Sequence, residues 1–372
     1  MIIEKRCRSV MYYSSILNLR EYGLIVNMAP WMELPYAIEN CTPEEEKIIK
    51  KCLIGYTRNF VKCGKHKYVM PGAFKKHAEA IYNMEVRPDD VWVITFPRSG
   101  TTWTQEMVWL LENNLDYETS KEKPLYERFP MIEITSMIPD IAFELIKTNF
   151  MNLGNFQGLS EAVRHASWST VEKYSSPRFI KTHLPLSLLP PNLLNTAKVV
   201  YVARDPRDVV VSYYYLHKMV GKSLLRANFS HFWEAFRRDL LPWTPIVSHT
   251  NEAWVQRDHP NMHFIFYEDM IKDLVGEVHR MSQFLNRKYS EECIINLSQY
   301  LSFDNLRKNK NVNNTTTEGK DAVQFIRKGE AGGWRSHFDE KMEIQAEEFL
   351  MEKLKGLSLS YPSFQMYETT HL

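Results

Sequence analysis

Lys181 and His183 stand two residues apart in KTHLP, just after the apolar start of the stretch RFIKTHLP. On an extended chain such residues project to one face, so an ammonium and an imidazole meet a substrate from the same side. A histidine taken alone is more often structural, and the lysine beside it raises the case for a catalytic one. A second set of donors lies in FPRSGTTW, Phe96 to Trp103. Gly100 lets the backbone turn closely around an anion, Thr101 and Thr102 add N–H and hydroxyl donors, Arg98 supplies a fixed positive fork, and Trp103 offers a face for a base. A turn with a helix cap and a buried tryptophan is the competing reading. The Gly-x-x-x-x-Gly-Lys-Ser/Thr spacing of a nucleoside triphosphatase is absent, because Thr101 follows Gly100.

Two further stretches are basic. ARDPRDVVVSYYY carries Arg204 and, about two helical turns on, Ser212, near enough to hold one phosphate between them. Arg207 beside them reads as a solvated charge. FIRKGEAGGWR offers Arg327, Lys328 and the Gly329 amide as a compact donor set for a second anion, with Gly332 and Gly333 permitting a tight path. Taken alone, this segment reads equally well as a basic loop.

Four runs of β-type residues must position these groups: VWVITF (91–96), RFIKTHLP (178–185), KVVYVAR (198–204) and MHFIFYEDM (262–270). Three are nearly unbroken apolar runs, as strands covered on both faces are. After the first, Trp103, Met107, Leu110 and Leu111 recur at helical intervals. After the third, Asp205-Pro206-Arg207-Asp208 supplies an N-cap, a proline at the first helical position and an acidic first turn. The expected fold is α/β: a single domain with a central, mostly parallel sheet flanked by helices and a phosphate-binding strand, loop and helix. Helix starts at strand ends collect along one sheet edge, where free N–H groups and positive dipole ends favour anions. Thr42-Pro43-Glu44-Glu45 marks another helix start, and NLRKNKNVNNTTTEGKD (305–321) is a polar loop that builds no core.

The 372 residues suffice for one large α/β domain. Their 46 Lys and Arg against 45 Asp and Glu argue against a general nucleic-acid or membrane-surface binder, which needs a large positive excess. No apolar run reaches the length of a membrane span. Any anion site must be a local cluster. Cys7, Cys41, Cys52, Cys63 and Cys293 lack metal-ligand spacing and read as reduced thiols of a cytosolic protein. Residues 1–27 show neither a signal-peptide pattern nor a long helical period, so they read as a disordered extension to a domain over 28–372, with Met28 an alternative start.

In their order and spacing, FPRSGTTW, KTHLP, ARDPRDVVVSYYY and RKGEAGGW resemble the cytosolic sulfotransferases, over about residues 40 to 355. The resemblance implies a cytoplasmic enzyme that moves the sulfuryl group of 3′-phosphoadenosine 5′-phosphosulfate to an alcohol, phenol or amine without a metal, leaving adenosine 3′,5′-bisphosphate. It further implies that Arg98, Ser99, Gly100, Thr101 and Thr102 wrap the 5′-phosphosulfate while Trp103 stacks on adenine. Arg204, Ser212, Arg327, Lys328 and Gly329 would hold the 3′-phosphate. Tyr267 and Phe303 match positions lining the adenine pocket, where ordinary core aromatics are the competing reading. His183 matches the general base, and Lys181 with Arg98 would stabilise charge moving onto the bridging and terminal oxygens.

LPYAIENCTPEEEK and THLPLSLLPPNLL are also similar to the insect retinol dehydratase branch, which sulfonates an allylic alcohol and then loses sulfate. Sulfonation of a small hydrophobic alcohol or phenol is the first expectation and dehydration the alternative. A nucleotide kinase is disfavoured by the missing lysine after Gly100. Two positions depart from the family. Arg98 stands where a lysine is usual, which keeps the charge but makes a poor proton donor. The short dimer motif is replaced over Arg335 to Ile344, with Asp339 and Glu340 at its centre, so a homodimer by that route has no support. Segments 65–90 and 120–175 are expected to lie over the acceptor, the second bringing Phe129, Met131, Ile132, Phe143 and Phe150.

Overall fold

In the computed structural model the chain divides into two units, Met1–Glu33 and Leu34–Leu372. The structure describes residues 32–138, 140, 167–220, 227–309 and 329–364. Residues 1–27, Arg327, Lys328, Phe143 and Phe150 lie outside the described residues. The elements below belong to the second unit.

Three short strands, β1 (Ile38–Asn40), β2 (Val61–Cys63) and β3 (Tyr68–Met70), pair antiparallel in the order β1-β2-β3. Helix α1 (Pro43–Cys52) starts at the expected place because Thr42 and Glu45 cap each other. The Thr42 hydroxyl accepts from the Glu45 N–H, and the Glu45 carboxylate accepts from the Thr42 N–H. Segment 65–90, expected as loops over the acceptor, contributes β3 and buries Phe74, Ala78 and Ile81 in the core.

The central sheet is wholly parallel, in the order β5 (Phe179–Thr182), β4 (Val91–Thr95), β6 (Lys198–Ala203), β7 (Met262–Phe266). β4 is buried along its whole length and β6 at all but its first residue, as their apolar runs require. The two-residue period sorts their side chains. Trp92, Ile94, Ile180, Val199 and Tyr201 enter one core cluster, and Val91, Val93, Phe179, Val200 and Val202 enter another. Each buried Val or Ile contributes about 1.5–3 kcal/mol, so the doubly covered strands form a rigid base for the loops at their carboxyl ends.

Helix α2 (Thr101–Glu112) follows β4, and α3 (Pro206–Val220) follows β6, beginning at the expected proline. Helix α4 (Ile246–Trp254) precedes β7. The strand expected over 262–270 stops at Phe266: Tyr267 opens helix α5 (Tyr267–Lys272), whose first turn sets Glu268 and Asp269 at the positive dipole end. Helix α6 (Glu340–Leu354), N-capped by Asp339, occupies the region where a dimer motif was sought. Successive strands are added on opposite sides of β4, first β5 and then β6, so the winding reverses between β4 and β6. Open parallel sheets bind ligands outside the carboxyl ends at such a switch point.

Candidate active site

β5 ends at Thr182, so His183 leaves the sheet at its carboxyl edge, while Lys181 still pairs with Val93 of β4. His183 is buried. Its Nδ1 lies 2.8 Å from the Thr95 carbonyl oxygen and 3.1 Å from Thr95 Oγ1. A carbonyl can only accept, so Nδ1 carries the proton and Nε2 keeps its lone pair. The end of β4 therefore selects the tautomer a base requires. Burial pushes the His183 pKa well below 6.5, and the Lys181 charge adds to the effect. The imidazole is neutral at pH 7. Burial also lowers Lys181, to about 8, with Glu133 opposing and Arg98 reinforcing the shift. Trp243 meets the imidazole edge-on, with centroids 5.4 Å apart. His249 of α4 donates from Nε2 to the His183 carbonyl at 2.9 Å.

The FPRSGTTW corner joins β4 to α2 through two left-handed residues, Arg98 at φ 71° and Gly100 at φ 110°. Gly100 is the N-cap and brings no side chain to the helix end. The first-turn N–H groups, beginning at Thr101 and Thr102, thus have no intrahelical acceptor, and the dipole end is positive. A Cβ on Gly100 would stand 2.8 Å from the Tyr267 ring, so the backbone passes that ring more closely than a side chain allows. Thr101 Oγ1 lies 2.7 Å from Thr95 Oγ1, which links the corner to the His183 tether. Ser99 Oγ, Trp103 Nε1 and Arg204 Nε are buried without a hydrogen-bond partner among the described residues. Unpaired buried donors are costly and uncommon. Three around one corner, with a bare helix start, fit an anionic nucleotide.

The β6–α3 corner closes on the first. Arg204 donates to the Arg98 carbonyl at 3.2 Å and the Glu330 carbonyl at 2.9 Å, and its guanidinium lies 4.1 Å over the Tyr267 ring. Arg98 Nε donates to Ser212 Oγ at 3.0 Å, and Trp103 meets Tyr267 edge-on at 5.8 Å. Gly329 and Phe303 also meet: a Cβ on Gly329, at φ 69°, would fall 2.1 Å from the Phe303 ring. Asp208 in the first turn of α3 accepts from the Gly332 and Trp334 N–H groups at 2.6 and 3.0 Å, tying the GEAGGW segment to this corner. Arg207 is not a solvated charge. It is buried against Asp205, with Nη2 and Oδ2 2.7 Å apart, and lies 4.5 Å over the Trp334 ring.

A family model described as the sulfotransferase domain matches residues 88–358. The chain belongs to the sulfotransferase family. It is 31% identical over 296 residues to sulfotransferase 1E1 of Bos taurus, covering 77% of this chain and 92% of that one. Luciferin sulfotransferase of Photinus pyralis is 29% identical over 381 residues, covering 97% and 98%. Among solved structures, retinol dehydratase in complex with retinol and PAP is 40% identical with a TM-score of 0.81, covering 89% of this sulfotransferase and all of that chain. The same enzyme with androsterone and inactive cofactor PAP gives 41% identity and a TM-score of 0.82, covering 90% and 100%. The family resemblance, the α/β fold and the enzyme class read from the sequence are borne out. No helix among the described residues is long and apolar enough to cross a membrane.

The structure of this sulfotransferase also brings in a residue absent from the sequence reading. Glu133 is fully buried and accepts from the His183 N–H at 2.6 Å and the Thr182 hydroxyl at 2.9 Å. Burial raises its pKa to about 7, against the pull of those hydrogen bonds and of Lys181. The one local sign of it is a carboxylate inside the apolar run FPMIEI.

Proposed function

We propose that this sulfotransferase transfers the sulfuryl group of 3′-phosphoadenosine 5′-phosphosulfate to the hydroxyl of a small hydrophobic alcohol or phenol. The observation that carries the reading is the convergence of His183, neutral with Nε2 open, on the same sheet edge as the unpaired donors of FPRSGTTW. In this reading Arg98, Ser99, Gly100, Thr101 and Thr102 wrap the 5′-phosphosulfate. Trp103, Tyr267 and Phe303 hold the adenine. Arg204, Ser212 and Gly329, with Arg327 and Lys328, take the 3′-phosphate.

The nucleotide supplies a sulfuryl group on a phosphate leaving group. His183 Nε2 takes the proton of the acceptor hydroxyl as that oxygen bonds to sulfur. The bridging sulfur–oxygen bond breaks with its electron pair going to the phosphate oxygen, where Lys181 and Arg98 offset the charge. Arg98 cannot give up a proton. Lys181, held to about 8, is the group able to protonate the leaving oxygen. These donors do the work a metal ion does elsewhere, so the reaction proceeds without one. A cytoplasmic location belongs to the same proposal.

A second reading, dehydration through a sulfonated intermediate, is favoured by the 40% identity to retinol dehydratase over 89% of the chain. The two readings share the first step and differ in the product. Calorimetric titration without magnesium, using adenosine 3′,5′-bisphosphate and then ADP, tests the nucleotide class. Much tighter binding of the bisphosphate is expected, and equal or ADP-preferring binding would overturn it. Mass spectrometry of the products from retinol then separates a sulfate ester from the dehydrated hydrocarbon.

A further inference from the structure

We propose that Glu133 is a positioning residue for the reacting pair: its carboxylate fixes the backbone carrying His183 to the segment over the acceptor side and keeps a negative charge beside Lys181. The proposal rests on the reading that Lys181 and His183 face the sulfuryl group.

Residues 130–132 run alongside β5 at the sheet edge. Lys181 N–H donates to the Pro130 carbonyl at 2.9 Å, Ile132 N–H donates to the Lys181 carbonyl at 3.2 Å, and Met131 bridges Lys181 in parallel register. This pairing ends where β5 ends, and the Glu133 carboxylate takes over. It accepts from the Thr182 hydroxyl and the His183 N–H, while Thr182 Oγ1 accepts from the Leu184 N–H at 3.0 Å. One side chain therefore holds the chain from 182 to 184 where the ladder no longer does. The segment is pinned again further on. Tyr56 OH donates to the Met137 carbonyl at 2.8 Å, and the Thr57 and Arg58 N–H groups donate to Asp140 at 2.8 and 3.1 Å.

A carboxylate meets two donors here, Oε1 taking the His183 N–H and Oε2 the Thr182 hydroxyl, whereas an amide would put its NH2 in place of one of those acceptors. Its charge has a counterpart. Of the charged groups acting on Lys181, Glu133 favours the ammonium and Arg98 opposes it. Glu133, ionised above about pH 7, is the negative member of this pair. Removing it leaves Lys181 under burial and Arg98, both of which disfavour the ammonium, so Lys181 would lose its proton at lower pH.

The test uses the full chain with Glu133→Gln, which keeps an acceptor for His183 N–H, and Glu133→Ala, which removes it. Acetylation of Lys181 by acetic anhydride, followed against pH by mass spectrometry, requires no turnover. The wild-type midpoint is expected near pH 8, and that of Glu133→Gln clearly below it. Transfer to 4-nitrophenol should show kcat at pH 8 reduced about fivefold in Glu133→Gln, because a pKa lowered by about one takes the protonated fraction of Lys181 at that pH from about a half to about a tenth; its alkaline limb should move to lower pH and KM for the phosphosulfate stay within twofold. Glu133→Ala should lose kcat at every pH. An unmoved Lys181 midpoint in folded Glu133→Gln, or an unchanged alkaline limb, overturns the proposal. Absence of 4-nitrophenol turnover by the wild type counts against the phenol reading instead, and the labelling midpoint still decides the role of Glu133.

Discussion

Replacing Gly100 by alanine tests the corner to which the proposed function assigns the nucleotide. Two costs add. At φ 110° an L-residue leaves its allowed backbone regions, a penalty of about 1–2 kcal/mol. The new methyl would also stand 2.8 Å from Tyr267 Cδ2, against a preferred carbon–carbon separation of about 3.5–4.0 Å. The ring must therefore retreat by roughly 0.7 Å or more. Tyr267 has little room, since it is buried between Trp103 and the Arg204 guanidinium, and a shift disturbs both. A total of about 2–3 kcal/mol follows from the backbone term plus local repacking. In a unit of this size that lowers Tm by about 3–4 °C. If half of the cost falls on the nucleotide site, affinity for adenosine 3′,5′-bisphosphate drops about tenfold. Gly356→Ala is the control: its φ is 77°, but nothing lies within 4 Å of the added Cβ. It should lower Tm by the backbone cost and leave binding unchanged. Thermal melts and calorimetry on both variants read the two effects separately. Binding within twofold of wild type for Gly100→Ala, or an equal loss in Gly356→Ala, would refute the assignment of this corner to the nucleotide.

His183→Asn should keep bisphosphate affinity within about threefold and lower transfer by about 10²–10⁴-fold, the usual worth of a general base; unimpaired transfer would remove His183 from that role. Arg204→Ala removes charge-assisted hydrogen bonds worth about 1.5–3 kcal/mol, so titrations should show about 10- to 100-fold weaker binding of the bisphosphate with a much smaller change for ADP, and equal weakening of both would sink the 3′-phosphate assignment. The rate against pH should have its acid limb below 6.5, because burial and the Lys181 charge keep His183 neutral there, and an alkaline limb near 8, where Lys181 loses its proton. An acid limb at or above 6.5 contradicts the neutral, tethered imidazole.

The parts of the site legible in the sequence are those set by short-range rules. Unbroken apolar runs mark β4 and β6, Asp205-Pro206 marks the start of α3, and a glycine with hydroxyl residues after β4 marks a tight strand-to-helix corner. What escapes are features made by segments distant in the chain. Strands β2 and β3 are three residues each, too short to show a period, and β3 is held by Thr244 and Trp243, whose backbones bond to Val69. Glu133 matters because residues 130–133 pass the end of β5, fifty positions further on, and nothing in FPMIEI announces that meeting. Arg204 and Arg207 make the same point within a single motif. Both belong to RDPRD and carry the same charge, so composition and spacing treat them alike. The helix start at Pro206 separates them: Arg204, on the strand end, stays half-buried over Tyr267 at the switch point, while Arg207, one residue into α3, turns inward onto Asp205, Trp334 and the Ser363 carbonyl. Which way each of these neighbouring cations turns depends on what packs around it, and Tyr267, Trp334 and Ser363 come from segments outside the motif.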